Sequence, residues 1–346
     1  GSDGRAGVGN AVLIDVISST KRSMPPTVPG ATDTTAAVVS CLSQRSAARP
    51  AWVLAVFAHN EGGRIRSALE RVVAAAGDCD IDVWVLANGC TDNTCVEVRA
   101  CADLVPNLWL AEIPLGDKAN AWNLFVHDLI SPDRARGLET YFFTDGDVTM
   151  EPHALLILAA ALDDVPGASA AGGMPANGRD KTAWRKRMVA NGMLAGNLYA
   201  LRAGFVDTVR ERQLRMPVGL IGEDFFLSWL VSTEPGTTTV ARRQPTCVFC
   251  ENAEFSFRSM SPWRPGDYPR YLRRKWRYTL RALQLEMLMQ VLRRNGFEAM
   301  PPHVHDLYRD GPLPSRLQWI GIETPMRLLA VLGIRRFRAP AGKTGG

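Results

Sequence analysis

Short apolar segments alternate with helical patterns from Trp52 onward, and this alternation constrains the fold more than any other feature of the sequence. Trp52–Phe57 has the length and β-rich composition of a buried strand. A polar turn follows, and apolar residues between Ile65 and Ala76 then recur at the spacing of one helix face. The cycle repeats, with strands predicted at Val83–Ala87, Leu108–Ile113 and Tyr141–Thr144 and helices at Thr94–Ala102 and Lys118–Leu129. This order predicts an α/β fold of the Rossmann type, with a mainly parallel sheet flanked by helices.

After Met150 the pattern becomes mostly helical, with helices predicted at Ala154–Leu162, Glu223–Leu230, Tyr268–Arg294 and Met326–Ile334. The last two combine clusters of arginine with apolar stripes. One interpretation is peripheral docking on the anionic inner face of a membrane. The other is packing against the main domain with the charges solvated, which we favour because apolar stripes usually face a core. No apolar run approaches the roughly 20 residues that cross a bilayer.

Composition changes along the chain predict three regions. Residues 1–50 are rich in small and polar residues and are expected to form a loosely ordered leader, with Ala11–Ile17 as a candidate edge strand. Residues 51–260 are expected to form the main domain, with halves at 51–150 and 151–260, and residues 261–346 a helical C-terminal extension.

Overall composition is that of a globular protein, with 46% hydrophobic and 22% charged residues. A net charge of +5 suits an anionic ligand such as a nucleotide, and we expect no nucleic-acid partner. Seven scattered cysteines, among them the single Cys247-x-x-Cys250 pair, favour structural thiols in a reducing compartment. We therefore expect a cytoplasmic protein.

Asp145-Gly146-Asp147 is the sharpest chemical feature, because a buried strand delivers two carboxylates at its carboxyl end. Residues i and i+2 of an extended chain point the same way, so both acids can face one cation. The glycine between them allows close approach of the backbone. Hard divalent cations prefer carboxylate oxygens, so we predict a Mg²⁺ or Mn²⁺ site at Asp145 and Asp147. The alternative is an ordinary acidic turn.

A second acidic pair, Glu223-Asp224, follows Gly222 and opens an apolar helix. One of its carboxylates can act as a general base while the other orients a partner group. The family resemblance described next implies that Asp224 is the base and that Glu223 assists it. A simple helix start with acidic residues near its N-terminus is the alternative.

These motifs and their order resemble the family-two glycosyltransferases, whose nucleotide-binding fold is called GT-A. The resemblance covers about residues 52–280. It rests on five elements in the family's order: Ala58-His59-Asn60-Glu61, Asn88-Gly89-Cys90-Thr91-Asp92-Asn93-Thr94, Gly116-Asp117-Lys118-Ala119-x-Ala121-x-Asn123, Asp145-Gly146-Asp147 and Gly222-Glu223-Asp224. Asn88 stands where the family commonly has an aspartate that binds the base. The segment Met193–Arg202, with Gly196, Tyr199 and Arg202, resembles the family's segment before the acceptor loop. We expect this segment to line the site.

The resemblance implies a metal-dependent, inverting hexosyltransferase. Its donor would be a nucleotide-diphosphate sugar, in most family members a UDP-sugar. Its acceptor would be a hydroxyl of a lipid-linked or cell-surface glycan, a lipid or a small molecule. Arg273-Arg274-Lys275-Trp276 is similar to an arginine-tryptophan arm of polysaccharide-making members, with lysine in place of the arginine before the tryptophan. The implied donor contacts are Ala58, Asn60, Glu61, Asn88, Asp92, Lys118, Asp145, Gly146, Arg273 and Trp276.

Two other functions fit the sequence less well. A catalytically silent nucleotide-sugar-binding or scaffolding protein would keep the fold without bringing Glu223-Asp224 to the cleft of Asp145 and Asp147. A resemblance to the sugar nucleotidyltransferases would require a glycine-rich loop with Arg and Lys directly after the first strand. This chain has His59-Asn60-Glu61 there. His303 and His305 alternate like strand neighbours and are weak candidates for completing a metal site.

Overall fold

The structure is a computed structural model that describes residues 36–46, 49–178, 180–233, 246–258, 268–313 and 323–338. The candidate edge strand at Ala11–Ile17 lies outside the described residues. A later part of the expected leader, Val38–Gln44, forms strand β1 and pairs antiparallel with Asn107–Ile113. Part of the expected leader therefore forms an edge strand of the sheet.

Strands and helices alternate through the first half as the sequence predicts, with boundaries shifted by a few residues. The elements after β1 are β2 (Trp52–Ala58), α1 (Ile65–Ala76), β3 (Ile81–Asn88), α2 (Thr94–Arg99), β4 (Asn107–Ile113), α3 (Lys118–Leu124), α4 (Pro132–Ala135) and β5 (Thr140–Asp145). The helix predicted at Lys118–Leu129 is α-helical as far as Leu124, and Phe125–Leu129 forms a π-helical turn.

The second half contains elements that the sequence pattern did not predict, notably those at Ala170–Pro175, Lys181–Asn191, Ala203–Glu211 and Cys247–Ser256. In chain order it comprises β6 (Thr149–Met150), α5 (Ala154–Asp164), β7 (Ala170–Pro175), α6 (Lys181–Asn191), β8 (Leu198–Arg202), α7 (Ala203–Glu211), α8 (Glu223–Ser232) and β9 (Cys247–Ser256). The C-terminal part is helical, with α9 (Tyr268–Asn295), a 3₁₀ turn (Phe297–Ala299), α10 (Val304–Asp310) and α11 (Glu323–Arg338).

Within the described residues the strands form one sheet in the order β1-β4-β3-β2-β5-β8-β7-β9-β6. Its centre, β4-β3-β2-β5, is parallel, and β8 runs antiparallel to both β5 and β7. The mixed α/β class with a parallel centre and a helical C-terminal part is confirmed. Because strands from before and after Met150 share this sheet, the two halves of the main domain are built on one framework.

Both faces of the sheet are covered, which is why its central strands are apolar throughout. Alternate side chains of β2 enter two separate buried clusters: Val53, Ala55 and Phe57 in one, and Leu54, Val56 and Ala58 in the other. Met287, Leu288 and Leu292 of α9 belong to the first cluster, so the C-terminal helices share the core of the sheet domain. No described helix combines the length and the apolarity that a membrane span requires.

The cysteines are all free thiols, and the Cys247–Cys250 pair lies in β9. Burial raises the pKa of the Cys247 thiol and raises that of Cys250 to about 11. Thiols of this kind stay protonated near neutral pH and are poor nucleophiles and metal ligands.

Candidate active site

The carboxyl ends of β2, β3 and β5 meet at one edge of the sheet, and the first acidic motif lies there. Asp145 ends β5 opposite Phe57 of β2. The Gly146 amide donates to the Phe57 carbonyl over 2.7 Å, and a Cβ at Gly146 would lie 3.1 Å from that oxygen. Glycine therefore lets β5 turn tightly against β2, so that Asp145 and Asp147 flank the turn.

Lys118 joins the two acidic motifs. Its Nζ lies 2.5 Å from Asp145 Oδ1 and 2.9 Å from Glu223 Oε1. It also donates to the Gly196 carbonyl over 3.2 Å. The exposed fractions of the Lys118, Asp145 and Glu223 side chains are 25%, 27% and 13%, so solvent still reaches the cluster. The first residue of α3, the end of β5 and the start of α8 therefore meet in one cleft.

Gly196 brings Asp224 to the same place. Its amide donates to Asp224 Oδ2 over 3.3 Å, while the Phe225 amide donates to Asp224 Oδ1 over 3.0 Å. A Cβ at Gly196 would lie 3.2 Å from Lys118 Nζ and 3.3 Å from Glu223 Oε1. The segment expected to line the site thus reaches it at Gly196.

The other two residues singled out in that segment are part of the framework. Tyr199 is buried and stacks on Phe143, with ring centroids 4.8 Å apart. The Arg202 guanidinium donates to the carbonyl of Leu162 in the last turn of α5 and to that of Ala168, just before β7. Both therefore hold β8 and its neighbours in place.

Burial and the ammonium group of Lys118 give the acidic side chains of the cluster different pKa values. Burial raises the pKa of Asp145 to about 6, despite the opposing charge of Lys118. Burial would also raise the pKa of Glu223, but its ion pair with Lys118 outweighs this and lowers it. Burial and the neighbouring Glu223 charge raise the pKa of Asp224 to about 6. Desolvation opposes the charge on Lys118, yet Asp145 and Glu223 together raise its pKa well above the usual value. Glu223 is thus the fixed anion, and Asp224 is a carboxyl group that gains and loses a proton near neutral pH.

Two of the predicted donor contacts, Asn60 and Asp92, lie in the two loops beside the cleft and bind each other. Asn60, at a positive φ of 58°, accepts from the amides of Thr91 and Asp92 through its side-chain oxygen. Asp92 accepts from Thr94 at the start of α2 and from the Gly62 amide across the gap. Asp92 is therefore a helix cap and a clamp between loops. Direct contact of Asn60 or Asp92 with a nucleotide stays a prediction.

Asn88 and Ala58 are connected in a similar way. The buried Asn88 amide nitrogen donates to the carbonyl oxygens of Ala58 and Leu86, over 3.1 and 3.2 Å. This ties the end of β3 to the end of β2. Base recognition by Asn88 stays a prediction, and the amide nitrogen is already engaged within the protein.

The chemistry of the acidic edge fits a divalent cation. Burial raises the pKa of Glu61, and the nearby charges of Asp147 and Asp145 raise it further. Arg64 offsets part of this negative charge, with contacts of 3.3 Å to Glu61 and 3.7 Å to Asp147. Over the described part of the chain, no group of three or more His, Cys, Asp or Glu side chains is arranged around one metal position. A cation held by Asp145 and Asp147 would therefore need further oxygen ligands from a substrate or water.

Two arginines of α9 face the cleft, and the sequence analysis did not select them. The Arg281 guanidinium lies 4.3 Å from the ring centroid of Phe225, which follows Asp224. The charge of Arg277 acts on Glu223, and that of Arg281 acts on Asp224. Both lie at helical spacing from Gln284, whose burial is known only from the structure.

Arg273 and Trp276, the residues chosen from the arginine-tryptophan arm, lie elsewhere on α9. Trp276 packs with Leu280 against a small cluster that includes Ala330 and Val331 of α11. Arg273 is exposed. Nothing in this geometry supports a role for either in donor binding, which stays a prediction.

The loop before Glu223 is held by side chains whose role the sequence did not reveal. Asp117 accepts from the amides of Asn120 and Gly219, over 2.7 and 3.0 Å. The Ile221 amide donates to Gln284 Oε1 over 2.7 Å. Asn123 both donates to and accepts from the Met216 backbone, at 2.8 Å in each case. These contacts fix the approach of Glu223 to Lys118.

The two histidines do not form a strand as their alternation suggested. His303 precedes α10 and its Nδ1 lies 3.7 Å from Asp306, while His305 lies within α10. The His305 ring lies 5.8 Å from the ring of Phe337 in α11. His303 forms an isolated parallel bridge with Val218, and Val304–Asp310 is helical.

No protein-family model and no curated protein matches the sequence. Among solved structures, the chain is similar to the mannosyltransferase PcManGT of Pyrobaculum calidifontis in complex with GDP-Man and Mn²⁺. The identity is 17% and the TM-score 0.51, over 97% of this chain and 84% of that one. The chain has the GT-A fold.

Two further solved structures align less closely with this GT-A chain. Glucosyl-3-phosphoglycerate synthase of Mycobacterium tuberculosis, with Mn²⁺, UDP and glucosyl-3-phosphoglycerate, has 17% identity and a TM-score of 0.44, over 67% of this chain and 80% of that one. S. aureus TarS, residues 1–349, has 14% identity and a TM-score of 0.48, over 84% of this chain and 81% of that one.

Replacing Lys118 with methionine tests the charge balance at this edge of the GT-A sheet. We expect a loss of about 1–3 kcal/mol in the free energy of unfolding at pH 8, because Asp145 and Glu223 would be left as adjacent, uncompensated carboxylates. The loss should be smaller at pH 5, where these carboxyl groups can take up protons. Urea denaturation at both pH values measures it, with Lys186→Met on an exposed position of α6 as the control. A loss that is equal at both pH values would contradict the assigned ion pairs.

Gly222 offers a second test. Its φ is 88°, and a Cβ there would lie 2.2 Å from Cδ of Arg281. Gly222→Ala should therefore destabilise the fold by about 1–3 kcal/mol through backbone strain and displacement of the arginine. Gly63→Ala is the matched control, since a Cβ at Gly63 meets no atom within 4 Å. Equal denaturation midpoints for the two variants would disprove the assigned strain.

Proposed function

We propose that this protein is a metal-dependent glycosyltransferase that moves a sugar from a nucleoside-diphosphate sugar to an acceptor hydroxyl. The observation that supports this most is the Lys118 bridge from Asp145 to Glu223. It brings the candidate metal-binding acids and the candidate base to one cleft. The neighbour of the same fold that was solved with GDP-Man and Mn²⁺ supports the class of donor and the use of a metal.

On the donor side, Asp145 and Asp147 would hold Mg²⁺ or Mn²⁺, with Glu61 adding negative charge nearby. The cation, when bound, supplies a positive charge that stabilises the departing diphosphate. Lys118 can pair with a phosphate oxygen as a point charge if that oxygen replaces one of its two carboxylate partners. Glycine at position 146 keeps the backbone close to β2, so the two acids stay at the end of the sheet.

The base of the donor is the least constrained part of the proposal. Most members of the family that the sequence resembles use a UDP-sugar, although Asn88 stands where that family commonly has an aspartate that binds the base. The neighbour with the same fold was solved with GDP-Man. We propose a UDP-sugar, and a screen has to include both nucleotides.

On the acceptor side, Asp224 is the proposed general base. In an inverting transfer, its carboxylate takes the proton of the acceptor hydroxyl as that oxygen bonds to the anomeric carbon. The bond from the anomeric carbon to the diphosphate oxygen breaks, and its electron pair leaves with the nucleoside diphosphate. A pKa of about 6 suits this role, because the group is mostly deprotonated at pH 7 and still basic enough to accept a proton.

Glu223, Arg277 and Arg281 would prepare the site for this step. The Lys118 ion pair keeps Glu223 ionised beside Asp224. The negative charge of Glu223 raises the pKa of Asp224 and so keeps it basic enough to accept a proton. Arg277 and Arg281 add positive charge near the acidic pair. Guanidinium groups placed there can bind phosphate groups of the donor or of an acceptor.

A screen of nucleotide sugars tests the proposal. Thermal stabilisation is measured with UDP- and GDP-sugars, with and without Mn²⁺ or Mg²⁺, and the responding donors are then assayed for metal-dependent hydrolysis and transfer. We expect one donor to raise Tm only with a divalent cation and to be slowly hydrolysed. Stabilisation without any release of nucleoside diphosphate would favour the silent binding protein. No response to any nucleotide sugar would refute the proposed function.

A further inference from the structure

Helix α11 is apolar on two opposite sides. Its inner side carries Arg327, Ala330, Val331, Ile334 and Arg338, which recur at helical spacing. Ala330 and Val331 pack with Leu283 of α9, and Arg327 pairs with Glu286. Arg338 donates to the carbonyls of Tyr308 and Gly311. These contacts hold the helix against α9 and α10.

The opposite side, here called the outer face, is formed by Pro325, Leu328, Leu329, Leu332, Arg335 and Arg336, all of which are exposed. At 3.6 residues per turn they span about 120° of the helix. Leu328, Leu329 and Leu332 expose 43%, 37% and 40% of their surface. A helix on the surface of a globular protein normally has polar residues here, so the outer face has the composition of a face that contacts something apolar.

The neighbouring helix α9 has a related composition in its N-terminal part. Tyr268, Tyr271 and Tyr278 are exposed, as are the basic residues Arg273 and Arg274. Tyrosine is enriched where a protein meets the boundary between lipid and water, and arginine is attracted to anionic headgroups. Exposed aromatic and basic side chains thus occur on the helix against which α11 packs.

We propose that the outer face of α11 docks on an anionic lipid surface, with Leu328, Leu329 and Leu332 entering the headgroup boundary. The arrangement is that of an interfacial helix whose arginines contact lipid phosphates beside inserted apolar residues. The charges favour lipid over a second copy of this chain. A symmetric contact would need acidic groups opposite Arg335 and Arg336, and the outer face has none.

The proposal does not depend on the proposed enzymatic function, because lipid binding can be measured without a substrate. The purified protein is sedimented with vesicles of phosphatidylcholine alone and with vesicles containing about one third phosphatidylglycerol. We expect binding to the anionic vesicles that weakens as salt is raised, since headgroup attraction is screened. The double variant Leu328→Ser with Leu332→Ser should bind at least about 10-fold more weakly.

Val189→Ser is the matched control, because Val189 is 57% exposed on a different helix, α6. It should bind vesicles like the unmodified chain, and all variants should keep their denaturation midpoints because the changed residues are exposed. Arg335→Gln with Arg336→Gln should remove the preference for anionic vesicles. Equal binding by the leucine variant, or no binding to anionic vesicles, would overturn the proposal. A dimer detected by light scattering and lost in the leucine variant would assign the face to self-association instead.

Discussion

Replacing Asp147 with alanine is expected to abolish the stabilisation of the protein by a nucleoside diphosphate with Mn²⁺, and to lower kcat/KM at least about 10²-fold. The physical reason is the loss of one of the two carboxylates proposed to hold the cation, whose charge stabilises the leaving group by several kcal/mol. The fold should be unaffected, since the Asp147 side chain is 37% exposed and its ion pair with Arg64 is long, at 3.7 Å. Thermal shifts with and without Mn²⁺ and UDP measure the first effect, and donor hydrolysis measures the second.

Asp103→Ala is a suitable control for this experiment, because Asp103 is a fully exposed aspartate. It should leave both the thermal shift and the activity unchanged. If the Asp147 variant is stabilised by nucleotide and Mn²⁺ as much as the unmodified chain, the metal site is not at the end of β5. The proposed role of Asp145 would then fall with it.

Asp224→Asn is expected to lower the transfer rate by about 10²- to 10⁴-fold, the usual contribution of a general base. Binding of the donor with Mn²⁺ should persist, because Asp145 and Asp147 are unchanged. The Asp224 pKa of about 6 sets the pH dependence of the unmodified enzyme. With saturating Mn²⁺, kcat/KM should rise with pH through about 6 and then level off, and the variant should lose this rise.

The same group also affects stability, with a sign that follows from its raised pKa. Because the folded state binds the Asp224 proton more tightly than the unfolded state, the contribution of this group to stability falls as pH rises from about 4 to about 6. Asp224→Asn should remove this slope from the free energy of unfolding. A variant that retains near-normal transfer would show that another group accepts the proton. A variant that no longer binds the donor would show that Asp224 has a structural role.

Much of the fold was predictable because its central strands are buried on both faces. β2, β3, β4 and β5 were placed within about two residues from their apolar runs alone. The second half was harder for a physical reason. β7 has the sequence Ala-Ala-Gly-Gly-Met-Pro, and its glycines and proline disfavour a strand. Tertiary contacts determine its structure, since Gly172 and Gly173 allow close packing by Phe249 and Leu198.

The acidic residues of the candidate site were predictable from their position after strands and at a helix start. What the sequence could not supply was which residues they would meet. Lys118, Asp145, Gly196 and Glu223 come from four separate segments, and their contact depends on the order of strands in the sheet. Polar side chains in the loops, such as Asp92, were ambiguous between cap and ligand. In the structure Asp92 accepts from the Thr94 amide at the start of α2, and its contact with a nucleotide stays a prediction.

The arginines show a different limit. A local motif pointed to Arg273 and Trp276, while the side of α9 that faces the cleft carries Arg277 and Arg281. Which side of a long helix faces a site depends on what packs beneath it. Here the buried Gln284 and Leu288 fix the rotation of α9, and a motif of four residues contains no information about it.

The double ion pair of Lys118 has a consequence for the order of events in the cleft. A bare cation approaching Asp145 competes with an ammonium group that is already in place and also held by Glu223. A cation that arrives with a diphosphate brings its own replacement partner for that ammonium, because the phosphate oxygens can take the contact that Asp145 gives up. The resting protein would then discriminate against free metal and admit metal and nucleotide as one unit.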